Sequence, residues 1–442
     1  PVSGICLPRM SSSTSETRVP VQGLPLPVEG NGDAEDIAKP GISESNLFTC
    51  SPSVSKWRAK QIATSDEALR IVQETAASAL AQAKTNMVRW YWAYHLSRFT
   101  FFTVNGALGY LLAQQQRDAS SSRSSVRFLN GPIQKPVQFL SFRLNEAMET
   151  FEQDVENVEA GRYKLPWDMD MGLSHRQASP QYALDRSARV VREAAAILQR
   201  RWAGSEAGRS VWMFPGAERA SELYPEYYKN NFHFQTDGWM SSESAKVYEA
   251  STETIFSGRQ DAMQRSALVP LGQWFRAQEG RSDGSGVSLL EVACGTGRFN
   301  TFIRDNFPSL DVTMTDLSPF YLEQARDNGV YWETARRADQ AHGRATYVQA
   351  AAEDLRMFED ESFDAVVSVY LFHEMPHQAR AAAAREWARV LKPGGIVVFT
   401  DSLQLGDRPA MDDGLGGFED FNEPHYASYI AEDIPSLFMA AG

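Results

Sequence analysis

Residues Glu291 to Gly297 read Glu-Val-Ala-Cys-Gly-Thr-Gly and connect an apolar run to a segment of helical character. The apolar run, Val287–Ala293, predicts a β-strand, and Arg298–Asn306 predicts a helix. A glycine-rich turn at this place lets a ligand approach the backbone, because glycine lacks a Cβ atom. The spacing differs from the GxGxxG pattern that holds a pyrophosphate. The carboxylate of Glu291 favours the cationic amino-acid end of a ligand, although an ordinary strand-to-helix turn also explains the pattern.

Strand-like and helix-like segments alternate on both sides of this turn. Four more short runs, rich in apolar or β-branched residues, predict strands: Val312–Leu317, Ala345–Ala350, Phe363–Tyr370 and Ile396–Asp401. Longer helical stretches separate them. This alternation predicts an α/β fold with a mainly parallel sheet and crossover helices.

An acidic residue closes the second predicted strand. Asp316 follows Gly297 by 19 residues, which is the spacing at which a strand-end carboxylate accepts hydrogen bonds from ribose hydroxyls. The same carboxylate is also suited to cap the helix predicted to begin near Pro319, and the two roles are compatible.

Five motifs in order, EVACGTG, DLS, AAEDL, SFDAVVS and RVLKPGG, resemble the class I S-adenosylmethionine-dependent methyltransferases. The likeness is greatest to methyltransferase type 11 and the ubiquinone/menaquinone C-methyltransferase-like branch. It implies a Rossmann-like domain, S-adenosylmethionine as cofactor and an S-adenosylmethionine-dependent methyltransferase activity. The resemblance places the methionine part along the glycine-rich turn, the ribose at Asp316 and the adenine beside Glu353-Asp354. The implied cofactor-binding residues are Glu291, Ala293, Gly295, Gly297, Asp316, Leu317, Ala352, Glu353 and Tyr370.

Two positions depart from the family pattern. Ala293 stands where the family has its first glycine, and Ala351 stands where an Asp or Asn often accepts the adenine amino group. Recognition of adenine therefore passes to backbone groups or to Glu353.

His373 and Glu374 follow the fourth predicted strand. Ligands of open α/β sheets lie beyond the carboxyl ends of the strands, so these two residues are the predicted catalytic pair. His373 would act as the base for the acceptor proton, and Glu374 would orient it or hold a cationic acceptor. An equally supported alternative is that His373 packs against or caps the next helix. Asp401-Ser402 ends the fifth strand at the same edge.

An aromatic-rich lid segment, residues 224–286, precedes the predicted sheet. It contains Tyr224, Tyr227, Tyr228, Phe232, His233, Phe234 and Trp239. Aromatic rings suit a sulfonium through cation–π attraction, but most aromatic residues pack in cores, so we expect about two of these rings to touch ligand. Glu423-Pro-His425-Tyr426 lies where this class often forms a substrate lid.

The remaining organisation is a flexible leader over residues 1–55, a mostly helical N-terminal region over 56–223 and a methyltransferase domain over 287–442. The last strands of this domain are expected either to lie beyond residue 442 or to be replaced by an unusual sheet edge. Met87–Gln114 is densely apolar, yet its uninterrupted part, Phe99–Ala113, is shorter than the ~20 residues that span a bilayer. It predicts a buried or membrane-lying helix. The alternative to burial is peripheral contact of residues 87–114 with a membrane or with a photosynthetic complex.

Charge and further motifs narrow the function. The net charge of −13 disfavours nucleic-acid binding, and the three separated cysteines indicate no metal site. AGRYKLPWDM, HRQASP and VYLFHEMP are among the motifs that are similar to methyltransferases of cyanobacteria and plastids. They imply a plastid enzyme, in the stroma or on the stromal face of a membrane, and leave the methyl acceptor undefined. The first hypothesis for the function is methylation of a small, hydrophobic metabolite. The alternative is a non-catalytic subunit of a photosynthetic membrane complex that retains the fold.

Overall fold

The computed structural model describes residues 3–8, 49–50, 65–83, 85–115, 136–203, 224–278, 280–337, 342–407, 412–415 and 422–442. The strands are β1 Ser3–Pro8, β2 Thr49–Cys50, β3 Ser288–Val292, β4 Asp311–Asp316, β5 Ala345–Gln349, β6 Phe363–Val369 and β7 Leu391–Asp401. The first helices are α1 Ser65–Gln82, α2 Asn86–Gln115, α3 Pro136–Glu159, α4 Trp167–Met171, α5 Pro180–Ala203, α6 Ser242–Ile255 and α7 Gln260–Arg265. The others are α8 Leu268–Ala277, α9 Arg298–Asn306, α10 Pro319–Arg337, α11 His377–Val390, α12 Asp412–Leu415, α13 Tyr426–Ile430 and α14 Ile434–Ala441.

One sheet with the order β2-β1-β7-β6-β3-β4-β5 forms the centre of the protein. The five strands from β3 to β7 are parallel, and β3 lies between β4 and β6. The chain first adds β4 and β5 on one side of β3 and then crosses to the other side. The strand order therefore reverses between β3 and β6, which is where open α/β sheets bind ligands. The expected α/β, Rossmann-like class I fold with a mainly parallel sheet and a helical N-terminal region is confirmed.

The sheet edge beside β7 contains residues that the sequence analysis had predicted to be a flexible leader. β1 pairs antiparallel along β7, from Ser3 opposite Asp401 to Pro8 opposite Ile396, and β2 pairs with β1. Two segments of the expected flexible leader are thus strands. They cover the edge that would otherwise expose the unpaired N–H and C=O groups of β7.

The central strands β3, β6 and β7 are buried on both faces over most of their length, as their near-continuous apolar composition requires. The edge strand β5 is only partly buried. On one face, Leu289, Val312 and Val367 pack with residues of α8, α9 and α10. On the other face, Leu290 and Phe399 pack with residues of α11, α13 and α14. This packing fixes the carboxyl ends of the strands, and with them the turns that carry the candidate site.

The predicted apolar helix is one continuous helix, α2. It packs along α5 and also contacts α3 and α6. Tyr91 and Phe102 are buried on this side, and the Tyr91 hydroxyl hydrogen-bonds to Asp154 of α3. Within the described ranges, no helix combines the length and hydropathy needed to cross a bilayer.

Charged side chains join α2 to the sheet domain. Arg98 of α2 contacts Glu253 and Asp261. Arg298, the first residue of α9, donates to Asp261 at 2.8 Å and to Asp168 at 2.6 Å. The helical region is therefore in direct contact with the helix that follows the glycine-rich turn.

Candidate functional site

An open cavity of about 690 Å³ lies at the point where the strand order reverses. The ends of β3, β4, β5 and β6 contribute one wall, and the aromatic segment before α6 contributes another. The lining residues are Tyr227, Tyr228, Trp239, Tyr248, Ala293, Gly295, Asp316, Leu317, Tyr321, Ala350, Ala352, Val369, Tyr370, Leu371, Glu374 and Met375.

The glycine-rich turn adopts left-handed backbone conformations at three positions. The φ angles are +55° at Ala293, +57° at Gly295 and +69° at Gly297. A Cβ atom at Gly295 would meet only Tyr248, at 4.0 Å, because this residue faces the cavity. A Cβ atom at Gly297 would lie 2.9 Å from Cβ of Ala325, so Gly297 serves the close packing of α10 and does not line the cavity.

Ala293 replaces a family glycine at one of these positive-φ positions. An L-residue in the left-handed region costs about 1–2 kcal/mol. The structure therefore explains why glycine is common here, and it shows that alanine adopts the same conformation. Ala293 lines the cavity as expected.

The carboxylate of Asp316 lies beside the turn. Its Oδ2 accepts from the backbone N–H of Gly295 at 2.8 Å, and its Oδ1 accepts from the N–H of Ser318 at 2.8 Å. Ser318, rather than Asp316, caps α10, because its Oγ accepts from the N–H of Tyr321. Burial raises the pKa of Asp316 to about 6, against the hydrogen bonds that lower it. Asp316 and Leu317 both line the cavity, as predicted.

Removal of this carboxylate should weaken cofactor binding. Asp316→Ala loses an acceptor for the ribose hydroxyls, so we expect a loss of ~1–3 kcal/mol in binding free energy, measured by calorimetry. Because the pKa of Asp316 is about 6, the wild-type affinity should fall as the pH drops below that value and the carboxylate is protonated. The affinity of Asp316→Asn should not show this fall at low pH.

The control for this prediction is Asp311→Ala at the other end of β4. An equal loss of affinity in the control, or an unchanged affinity in Asp316→Ala, would contradict the assignment of the ribose site to Asp316.

A second cavity, of about 510 Å³, lies behind the turn. The two cavities share five lining residues: Tyr248, Ala293, Gly295, Val369 and Tyr370. The charged lining of the second cavity consists of four carboxyl groups and one guanidinium: Glu249, Glu253, Asp261, Glu291 and Arg298. Burial raises the pKa of Glu291 to about 8, although Asn300 Nδ2 donates to it at 2.7 Å. A carboxyl group with this pKa is largely protonated at neutral pH, so the role proposed from the sequence for Glu291, holding the ammonium end of an amino acid, stays a prediction.

The predicted adenine residues divide into two groups. Ala352 lines the cavity, whereas Glu353 does not. Glu353 instead accepts a hydrogen bond from the Tyr227 hydroxyl at 2.7 Å, and burial raises the pKa of this carboxyl. Its contribution to the cavity is therefore indirect, since it positions Tyr227.

Three of the seven aromatic and histidine residues named from the sequence line the cavity: Tyr227, Tyr228 and Trp239. Trp239 stacks on the buried Phe232 with ring centroids 4.3 Å apart. With Tyr248, Tyr321 and Tyr370, the cavity has six aromatic side chains in its walls. Such a wall attracts a cationic sulfonium.

Glu374 lines the cavity, but His373 lies behind it. The Nδ1 atom of His373 is hydrogen-bonded to the Asp401 carboxylate, and the Nε2 atom of His373 lies 3.4 Å from Glu374 Oε1. Burial disfavours the imidazolium, but the charges of Asp401 and Glu374 outweigh it and hold the pKa of His373 well above its usual range. His373 is thus positioned to orient Glu374, and the predicted role of a free base does not fit this geometry. It does not cap α11 either, which begins at His377 without a side-chain cap.

His233 extends this pair into a chain of alternating acids and imidazoles. Its Nε2 atom lies 2.9 Å from Glu374 Oε1, and its Nδ1 atom lies 3.0 Å from Glu423 Oε1. Burial lowers the pKa of His233, yet the two carboxylates raise it to about 10. These side chains follow the order Asp401, His373, Glu374, His233, Glu423, hereafter the acid–imidazole chain. It links the end of β7 to the lid segment, which contains His233, and to the C-terminal segment that contains Glu423. Asn422 adds a second link by donating to the Asn231 carbonyl at 2.7 Å.

Sequence reasoning missed several lining residues. Tyr248 on α6 and Tyr321 on α10 belong to ordinary helical patterns, so no local signal distinguishes them from core residues. The partnership of His233 with Glu374 was also missed, although each residue stood in a motif that had been singled out. The aromatic residues around His233 indicated a lid segment, but they did not specify Glu374 as the partner of His233.

The chain was then compared with known proteins. Residues 289–395 match the profile of a methyltransferase domain family. A phthiotriol/phenolphthiotriol dimycocerosates methyltransferase of Mycobacterium ulcerans is 35% identical over 117 residues, which are 26% of this chain and 38% of the relative. A fatty-acid O-methyltransferase of Mycolicibacterium smegmatis is 31% identical over 143 residues, which are 32% and 47% of the two chains.

A cyanobacterial relative has the same level of identity. The 2-methyl-6-phytyl-1,4-hydroquinone methyltransferase of Synechocystis is 31% identical over 125 residues, which are 28% of this chain and 34% of the relative. The chain spans less than half the length of each of these three relatives. The residues that match the family profile include the glycine-rich turn.

Proposed function

We propose, from the premise that this chain carries a class I S-adenosylmethionine-dependent methyltransferase domain, that the protein transfers a methyl group from S-adenosylmethionine to a small, hydrophobic metabolite. The observation that carries the proposal is the single cavity that brings together the glycine-rich turn, the Asp316 carboxylate and the aromatic wall. When bound, S-adenosylmethionine supplies an electrophilic methyl group on a sulfonium.

The residues present fit this cofactor. Gly295 leaves open space on the cavity side, and the buried Tyr370 hydroxyl has no hydrogen-bond partner among the described residues. The acidic second cavity offers an environment for the ammonium group, and Asp316 offers an acceptor for the ribose. The protein's contribution to an in-line methyl transfer is alignment and exclusion of water.

Two features support a hydrophobic acceptor. Leu371 and Met375 flank Glu374 in the cavity wall, and the aromatic rings of the lid segment oppose them. The relative named for a phytyl hydroquinone acts on a molecule of this kind. The alternative of a non-catalytic subunit has less support, because the turn and the cavity are intact.

The direct test is transfer of a labelled methyl group. Purified protein is incubated with methyl-labelled S-adenosylmethionine and a plastid lipid extract, and the product is identified by mass spectrometry. We expect label in an apolar product, and none with Gly295→Val. Label only in water-soluble products would contradict the hydrophobic acceptor.

We further propose a plastid location at a stromal membrane surface. Several apolar side chains on one face of α2 are exposed: Trp90, Leu96, Val104, Leu108 and Leu111. An apolar face with this exposure fits a helix that lies in the membrane interface. The net charge of −13 makes apolar contact, rather than attraction to anionic lipids, the basis of attachment.

Plastid fractionation tests this location. We expect the protein with the membranes before a carbonate wash and in the wash afterwards. Leu108→Glu with Leu111→Glu should release it to the stroma, whereas Leu173→Glu, at a leucine that is 89% exposed elsewhere, should not. Recovery of the wild type only in the stroma would contradict membrane attachment, and resistance to carbonate would indicate an integral protein.

A further inference from the structure

We infer that the methyl acceptor group is a neutral hydroxyl or amine that donates a hydrogen bond to Glu374. This inference rests on the proposed methyl transfer and defines the chemistry of the group that receives the methyl. It excludes a carboxylate acceptor.

The first argument is an unsatisfied oxygen. Glu374 lines the cavity, and only 4% of the residue is exposed. Its Oε1 atom faces His233 at 2.9 Å and His373 at 3.4 Å. Its Oε2 atom has no hydrogen-bond partner among the residues that the structure describes. A buried carboxylate oxygen without a donor is costly, so a donor on the acceptor molecule would complete the site.

The second argument is charge. The acid–imidazole chain contains three carboxylates and two imidazoles. With both imidazoles protonated, one negative charge is in excess. Burial raises the pKa of Glu374, but the charges of His233 and His373 outweigh it and lower the pKa to about 2. Glu374 therefore remains ionised, and it acts as an acceptor of hydrogen bonds at any physiological pH.

The third argument is the charge balance of the reaction. A bond forms between the acceptor oxygen or nitrogen and the methyl carbon, while the carbon–sulfur bond breaks and sulfur keeps the electron pair. One positive charge thereby moves from sulfur to the acceptor atom, and an ionised carboxylate beside that atom stabilises it. For a hydroxyl, the proton passes to Glu374 Oε2 and then to water. For an amine, the product keeps the proton as an ammonium ion.

A carboxylate acceptor lacks this complementarity. Its negative charge would lie beside Glu374 in a cavity with apolar and aromatic walls, where like charges repel strongly. The site thus discriminates by charge between molecules of the same shape, which makes the inference testable with simple probes.

The experiment compares 4-pentylphenol, 4-pentylaniline and 4-pentylbenzoate at neutral pH. Binding to the full chain is measured by calorimetry in the presence of saturating S-adenosylhomocysteine, so that no turnover occurs. We expect the phenol or the aniline to bind at least about tenfold more tightly than the benzoate, the scale of a modest electrostatic discrimination. In Glu374→Gln, this preference should shrink to about threefold or less.

The controls separate the inference from the proposed function. Glu323→Gln, at an exposed position on α10, should keep the wild-type preference, and both variants should keep the affinity for S-adenosylhomocysteine. Failure of the wild type to bind S-adenosylhomocysteine would contradict the proposed function. If S-adenosylhomocysteine binds normally, three results would overturn the inference about Glu374. The benzoate could bind as tightly as the phenol and the aniline, or neither the phenol nor the aniline could bind. The third such result is a preference against the benzoate that stays intact in Glu374→Gln. The wild-type comparison decides the matter even if Glu374→Gln does not fold.

Discussion

Gly295→Val should abolish binding of S-adenosylmethionine, with a loss of at least about 100-fold in affinity. Two physical effects combine at this residue. Its φ angle of +57° is unfavourable for a β-branched side chain, and the new side chain would project from the turn into the cavity, where only Tyr248 lies near a Cβ atom, at 4.0 Å. Calorimetry with purified variant and wild type measures the change.

Gly161→Val is the matched control. Gly161 has a φ of +65° with open space around its Cβ position, and it does not line either cavity. It should therefore lose a similar amount of stability and retain cofactor binding. Retention of micromolar binding by a folded Gly295→Val variant would mean that the cofactor does not approach the turn.

His373→Ala should lower the turnover number by about 100-fold while the affinity for S-adenosylmethionine stays nearly constant. His373 joins Glu374 to Asp401, so its removal leaves two buried carboxylates with less compensation. Glu374 would lose its orientation and its low pKa. The expected signature is therefore a shift of the acidic limb of the turnover profile towards higher pH, because the pKa of Glu374 rises when the neighbouring positive charge is removed.

His377→Ala is the control, since the His377 side chain is 65% exposed and pairs with Glu432 away from the cavity. It should change neither the turnover nor the pH profile. Equal losses of turnover and cofactor affinity in His373→Ala, with no change in the pH profile, would indicate that His373 only supports the fold.

The sheet domain was the part of the fold that local sequence patterns could predict. The strand predicted at Phe363–Tyr370 is observed as Phe363–Val369, and the helix after the glycine-rich turn has the predicted bounds. These elements bury apolar side chains with a regular period, and glycine or acidic residues mark their ends. The pairing of Ser3–Pro8 with β7 could not be predicted, because a short strand at a sheet edge is selected by distant hydrogen bonds.

The same distinction applies to the site. Gly295 and Asp316 lie at fixed distances from strand ends, so sequence spacing predicted their places in the cavity. In the structure Glu374 lines the cavity and His373 orients it, which reverses the predicted roles. This arrangement depends on Asp401 and His233. His233 and Glu374 are 141 residues apart in the chain, and their contact follows only from how the lid segment folds over the sheet. Neither residue carries a local signal of that contact.

The central claim is that the cavity at the reversal of strand order binds S-adenosylmethionine. Isothermal titration of the purified full chain with S-adenosylmethionine, and separately with S-adenosylhomocysteine, tests it most directly. The account predicts saturable binding of both ligands with dissociation constants on the order of micromolar, and loss of binding in Gly295→Val. Absence of any heat above dilution at millimolar ligand with a folded wild-type protein would contradict it.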